Sequence, residues 1–323
     1  MKRIKKLALK IISTPYLDMK KYYKQVRKLL NLINPPKEPI YKLLDHKMML
    51  SDREIPVRIF IPHANSLPKL LIFFHGGGWV TGNIDSYTNV CANMANETGH
   101  TVISVDYRLA PENPFPAGVE DCYHVTREIF YHPEIIKYNP EDITLIGDSA
   151  GGNLAAVVSL MARDKGDFLP CRQILIYPAT NYDHSSSSPF PSVIENGTDY
   201  IMTSERIQDY MELYVPNKED RLSSYVAPIL AEDLSNQPKT LIITAEFDPL
   251  RDEGEAYGMK LESFGNHVTI YRIKDALHGF LTNPLATTDI NIAYEIINKF
   301  LRDKDIQVRN IDEKENYQVE KIR

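Results

Sequence analysis

Cysteine is scarce here: Cys91, Cys122 and Cys171 are the three in 323 residues, an odd number without paired spacing. That excludes a disulfide-built scaffold and reads as reduced thiols in a cytoplasmic protein. No apolar run approaches the roughly 18 residues a bilayer-spanning helix requires. The opening MKRIKKLALKIISTP is basic, but Lys10 interrupts its apolar stretch and no small-residue cleavage site follows, so it is not read as a signal peptide. Metal-ligand spacing is missing too, and neither a metal nor an organic cofactor is expected. Internal repeats are absent, and the body carries no biased tract that would signal disorder.

Charge is present but unevenly spread. Residues 1–28 hold ten Lys/Arg against the single acid Asp18, a local +9, whereas the whole chain is −6. The remaining body is therefore strongly acidic, which argues against general nucleic-acid binding. The basic arm reads as a solvated helix face docked on that body rather than a membrane-surface arm. Within 14–33, Tyr16, Met19, Tyr23, Val26, Leu30 and Ile33 recur at steps of three and four, the mark of an amphipathic helix. The prolines of NPPKEP (34–39) end it.

From there the pattern alternates. IPVRIFI (55–61), KLLIFFH (69–75), TVISVDY (101–107), DITLIGD (142–148), RQILIYP (172–178), KTLIITA (239–245) and HVTIYRI (267–273) read as strands. Helices are expected over 117–131, 150–163, 252–264 and 286–302. Continuous Ile/Leu/Val strands alternating with helices imply an α/β fold, with a mostly parallel central sheet covered by helices on both faces. The interval 181–226 breaks the alternation with DHSSSSPFPSVIENG and a helix whose apolar face is Ile207, Tyr210, Met211, Tyr214 and Val215. So long an insertion reads as a lid, packed with the N-terminal helix over the carboxyl edge of the sheet. The expected organisation is a helical cap segment over 1–50, a catalytic domain over 51–180 and 227–303, a cap insertion over 181–226, and a charged tail over 304–323, frayed or unstructured.

LIGDSAGGNLAA (145–156) sets Ser149 between Gly147 and Gly151 where a buried strand meets a helix. A G-x-S-x-G sequence in that position makes a sharp turn that lifts the hydroxyl above the sheet edge. A serine nucleophile needs a base, and the base an orienting acid. His278, in DALHGF, is the expected base. Asp248, just past a buried strand, is the expected acid. Asp252 competes but falls in the next helix, expected to point to solvent; Asp275 is expected to serve its own loop. HGGGWV (75–80) places consecutive backbone N–H groups upstream of the serine. Gly77 and Gly78, with Ala150, read as donors to a developing oxyanion, and Gly76 shapes their turn. His75 is expected to bond loop backbone. Trp79 is expected to wall a substrate pocket, and Asp148 to fix the elbow. Tyr182, Phe190, Tyr210 and Tyr214 are candidate pocket contacts from the lid or members of its own core.

HGGGW (75–79), DYRLAPENPFPAGVEDC (106–122), GDSAGGN (147–153), DPLRDEG (248–254) and HGF (278–280), in this order, resemble the hormone-sensitive-lipase-like group of α/β-hydrolases. The likeness runs from about residue 55 to 302. It implies an α/β-hydrolase fold with a helical cap, Ser149 as nucleophile with Asp248 and His278 as its relay, and oxyanion donors at Gly77, Gly78 and Ala150. It also implies that Asp106, Arg108 and Glu112 are buried polar ties, and it leaves room for a homodimer. The expected activity is a serine carboxylesterase acting on small esters of short to medium chain, with no nucleic-acid partner and no stable membrane insertion. The alternatives are an amidase or N-deacetylase, a lipase with an interfacial N-terminal arm, and a binding protein without catalysis. Retention of His278 speaks against the last.

Overall fold

A computed structural model describes residues 18–33, 42–50, 53–133, 138–200, 202–302 and 319–323. In chain order the elements are α1 (Met19–Ile33), β1 (Lys42–Met49), β2 (Glu54–Ile61), β3 (Leu70–Phe74), α2 (Thr88–Thr98), β4 (Thr101–Val105), α3 (Ala117–Tyr131), β5 (Ile143–Asp148) and α4 (Ala150–Lys165). They continue as β6 (Arg172–Ile176), α5 (Pro191–Glu195), α6 (Ser204–Tyr214), β7 (Lys239–Phe247), α7 (Arg251–Ser263), β8 (Val268–Leu277), α8 (Thr287–Arg302) and β9 (Val319–Lys321). The sheet order is β1-β2-β4-β3-β5-β6-β7-β8-β9, parallel from β4 through β8 and antiparallel at both ends.

The unbroken apolar strands are explained by two cores. In β3, Leu70, Ile72 and Phe74 belong to one and Leu71 and Phe73 to the other. Successive side chains leave opposite faces of a strand, so a strand covered on both sides is mostly apolar. On the first face lie α3, α4 and α7, with residues of α6 joining the same core; α2 and α8 cover the second. The expected helix and strand positions hold to within a few residues, and β8 runs on to Leu277, next to His278.

Two stretches of the expected organisation are corrected. Residues 42–49, expected in a helical cap, form β1, paired with β2 along its whole length from Lys42↔Ile61 to Met49↔Glu54. The strand mixes polar and apolar residues and is mostly exposed because it is an edge whose outer side faces solvent. The charged tail, expected to be frayed, ends in β9, which pairs with Tyr271, Arg272 and Ile273 of β8 and covers part of that edge. The parts of these calls at 1–17, 34–41 and 303–318 lie outside the described residues.

Above the carboxyl ends of the parallel strands, α1, α5 and α6 come together. Met19 is buried, and its N–H donates to Asp209 Oδ2 of α6 at 3.1 Å while Lys20 Nζ donates to Glu212 at 2.5 Å. Tyr23 and Val26 pack on the core below them. Ser192 ties α5 to the sheet edge: its N–H donates to Asp252 Oδ2 at 2.7 Å and its hydroxyl to the Pro249 carbonyl at 2.8 Å. Asp252 therefore holds α5 rather than pointing to solvent.

Candidate active site

Ser149 follows β5 and precedes α4, with φ 55° and ψ −119°, a backbone region that costs on the order of 1–3 kcal/mol for a residue with a side chain. The surroundings hold it there. Its N–H donates to the Ile176 carbonyl at 2.9 Å, and its carbonyl accepts the Asn153 N–H at 3.0 Å. Asn153 donates its side-chain amide to the Ala179 and Val226 carbonyls at 2.9 and 2.8 Å, pinning α4 to the strand ends. A Cβ on Gly151 would fall 1.9 Å from the Phe74 carbonyl oxygen, so helix and strand approach this closely only with glycine there.

Folding brings the three widely separated residues together. Ser149 Oγ is 2.9 Å from His278 Nε2, and His278 Nδ1 is 2.7 Å from Asp248 Oδ2. Asp248 is wholly buried, and its other oxygen accepts the Leu250 N–H at 2.9 Å. These partners fix the tautomer: neutral His278 donates from Nδ1 to Asp248 and receives the serine hydroxyl at Nε2. Burial on its own depresses the imidazole pKa, but the Asp248 charge and hydrogen bond, with further help from Asp148 and Glu253, raise it above the ordinary value. Asp275, the sequence competitor, is exposed and donates its N–H to Glu246 at 2.7 Å.

Beside the serine, the glycine loop turns on the Gly77 carbonyl, which accepts N–H groups from Val80 at 3.2 Å and Thr81 at 2.9 Å. Gly77 has φ +114°, and a Cβ there would fall 2.2 Å from the Thr81 carbonyl oxygen. No described residue accepts the N–H of Gly77, Gly78 or Ala150. Gly76 differs: its N–H donates to Asp148 Oδ1 at 2.8 Å, which takes it out of the set of free donors.

The other residues expected around the pocket are placed as follows. His75 is wholly buried between the rings of Tyr107, stacked at 4.3 Å, and Tyr87 at 5.3 Å. Its Nδ1 meets the Gly76 carbonyl at 2.8 Å, and burial lowers its pKa to about 4, so it is a neutral strut behind the loop. Asp148 is likewise committed to protein donors. Trp79 and Tyr214 stack on each other at 4.5 Å, and the Tyr210 ring lies directly against Gly78, so these three join α6 to the glycine loop. Tyr182 and Phe190 are half-buried in the 181–200 segment. Of the expected ties, Asp106 accepts the Ile84 N–H at 3.3 Å and Arg108 grips Asp121 with two bonds of 2.8 Å. Glu112 is not buried; it pairs with Arg27 of α1 at 3.0 Å.

Sequence reasoning passed over Arg27, Tyr87 and Tyr177. Arg27 donates to the Val80 carbonyl at 2.7 Å and the Ala110 carbonyl at 2.8 Å, latching α1 to the glycine loop. Tyr177 follows β6, next to β5 in the sheet, and its ring lies 4.8 Å from His278. An aromatic at the end of RQILIYP was the available signal.

A mostly parallel sheet with a strained serine turn after one strand, and the acid and imidazole after two later ones, defines an α/β-hydrolase. The model of the alpha/beta hydrolase fold family matches residues 71–282, and the chain belongs to that family, in its hormone-sensitive-lipase-like group. It is 34% identical over 292 residues to the arylesterase of Saccharolobus solfataricus, covering 89% of this chain and 93% of that one. It is 37% identical over 234 residues to the carboxylesterase NlhH of Mycobacterium tuberculosis, 71% of this chain and 72% of the relative. The solved hyperthermophilic esterase of the archaeon Pyrobaculum calidifontis superposes with a TM-score of 0.82 at 34% identity, covering 93% of this chain and 98% of that one.

Proposed function

We propose that this chain is a serine carboxylesterase that hydrolyses small esters of short to medium chain through an acyl-enzyme on Ser149. The observation that carries the reading is the unbroken hydrogen-bonded chain from Ser149 Oγ through His278 to buried Asp248, at 2.9 and 2.7 Å. His278 Nε2 takes the hydroxyl proton as Ser149 Oγ bonds to the ester carbonyl carbon. The N–H groups of Gly77, Gly78 and Ala150 receive the oxyanion. Collapse of that intermediate breaks the bond to the alkoxy oxygen, which leaves with the proton from His278 as the alcohol. Water then gives a proton to His278, adds to the acyl carbon and releases the acid, and the proton returns to Ser149. Asp248 keeps the imidazole in the required tautomer and favours its protonated form at each transfer.

Roofing of the site by α1, α5 and α6, with Ser149 8% exposed, supports small esters over bulk lipid. No described helix is long and apolar enough to cross a membrane. The free cysteines, two of them buried, support a reducing, cytoplasmic setting, and the acidic body supports a small-molecule partner rather than nucleic acid. The test is hydrolysis of p-nitrophenyl esters from acetate to dodecanoate, by the native chain and by Ser149→Ala. Activity concentrated on the shorter esters and lost in the variant is expected. A faster reaction with p-nitroacetanilide than with p-nitrophenyl acetate would replace the esterase reading with an amidase, and full activity of Ser149→Ala would remove the serine.

A further inference from the structure

Asp148 carries a carboxylate that scarcely reaches solvent, the residue being 2% exposed. An ionised carboxylate in such a place is costly unless donors converge on it. Three do. Oδ1 accepts the Gly76 N–H at 2.8 Å, and Oδ2 accepts the hydroxyls of Tyr87 at 3.1 Å and Tyr177 at 3.3 Å. Each donor belongs to a different part of the site. Gly76 opens the glycine loop, and a Cβ there would fall 2.7 Å from Asp148 Oδ2, so the approach requires glycine. Tyr177 reaches the histidine loop twice: its ring lies 4.8 Å from His278, and its hydroxyl accepts the Leu281 N–H at 3.3 Å. Tyr87 braces His75 from below, and His75 accepts at its carbonyl from Tyr107 at 2.8 Å. Asp148 itself is the residue before Ser149.

We propose that Asp148 is a positioning residue, whose carboxylate locks the glycine loop, the serine turn and the His278 loop into one arrangement and, when ionised, supplies a negative charge that favours the His278 imidazolium. The inference rests on the reading of Ser149 and His278 given above. A neutral residue of similar shape in this pocket would avoid the cost of a buried charge, and a charge kept there at such cost fits a task of opposing positive charge on His278.

The electrostatic surroundings are consistent with that task. Burial pushes Asp148 up to about 6, opposed by the Gly76 and tyrosine hydrogen bonds and by the charge of His278, so the group is ionised above neutrality. Tyr87, Tyr107, Tyr177 and Tyr294 and the Cys91 thiol, which all feel its field, are pushed up chiefly by burial and stay neutral there. His75 is also neutral. Asp248 and Glu253 are the other carboxylates that act on His278.

The experiment is Asp148→Asn, nearly identical in shape, assayed on p-nitrophenyl acetate from pH 5 to 9 with active sites titrated by a p-nitrophenyl phosphonate. The expected result is a fall of roughly tenfold or more in kcat per titrated site with KM little changed, and an acid limb of kcat/KM displaced to lower pH. The sign follows from the charge: without Asp148 the imidazolium is less favoured, so His278 deprotonates earlier as pH rises. A purely structural role would lower the yield of titratable sites and leave kcat per site and the acid midpoint where they were, and that outcome overturns the proposal. Tyr177→Phe keeps the charge and removes one tie, so it tests positioning even if Asp148→Asn does not fold. It should lower kcat about threefold or more at an unchanged acid midpoint, and unaltered kcat would contradict the role. Ser149→Ala, run alongside, separates the claims. If it stays active the reading of the site has failed; if it is inactive while Asp148→Asn matches the native chain, only the role of Asp148 has failed.

Discussion

Substituting Asp248→Asn isolates the proposed acid of the relay without changing its shape. The carboxylate sits 2.7 Å from His278 Nδ1, wholly buried, with its second oxygen on the Leu250 N–H. With charge centres about 4 Å apart and an effective dielectric near 20, the attraction to a protonated imidazole is about 4 kcal/mol. Losing that from the transition state corresponds to roughly a 10³-fold lower kcat. A second effect runs the same way. The asparagine can turn its N–H₂ toward Nδ1, which moves the imidazole proton to Nε2, where it can no longer receive the Ser149 hydroxyl. KM should change little, because Asp248 does not touch substrate. The assay is kcat and KM on p-nitrophenyl acetate across pH, with a thermal melt to establish that the variant is folded. Its residual activity should show an acid limb at lower pH than the native chain, since the largest contribution raising His278 is gone. A loss of less than about tenfold in a folded variant, or an unmoved acid limb, would refute the reasoning.

In the native chain, His278 must be neutral to act as base, and its pKa lies above the ordinary histidine value of 6.5, so kcat/KM should rise with pH through a midpoint above 6.5; a midpoint below it would contradict the Asp248 pairing. Gly77→Ala forces a Cβ to within 2.2 Å of the Thr81 carbonyl oxygen and displaces the free N–H groups. Its kcat should fall about 10²–10³-fold, more than KM changes, and steady-state kinetics beside a melting curve separates this from misfolding. Arg27→Ala strips donors from the Val80 and Ala110 carbonyls and should cost about 1–3 kcal/mol of stability, read as a lower midpoint in urea.

Much of this arrangement was legible in the sequence because of where the functional residues fall. Ser149, Asp248 and His278 each stand just past a strand of the parallel sheet, and the ends of parallel strands share one edge, so all three fall on that edge. The central strands were equally plain, since burial on both faces leaves only apolar residues in LLIFF and mostly apolar ones in TVISV. β1 was not, because KLLDHKMM is an edge whose exposed side carries no hydrophobic requirement. β9 is too short to leave a pattern. The network around Asp148 depends on which strands are neighbours: Tyr177 reaches Asp148 because β6 lies beside β5, and strand order is not written in any local motif. Glu112 looked like a buried tie because nothing within DYRLAPE announces that its partner, Arg27, comes from α1.

The central claim is that Ser149 is the atom acylated. Incubating the native chain with a p-nitrophenyl phosphonate, then digesting it and mapping the adduct by mass spectrometry, tests this directly. The account predicts one equivalent of phosphonate on the peptide containing Ser149, with activity lost in proportion to labelling. An adduct on any other side chain, or full activity after stoichiometric labelling of Ser149, would contradict it.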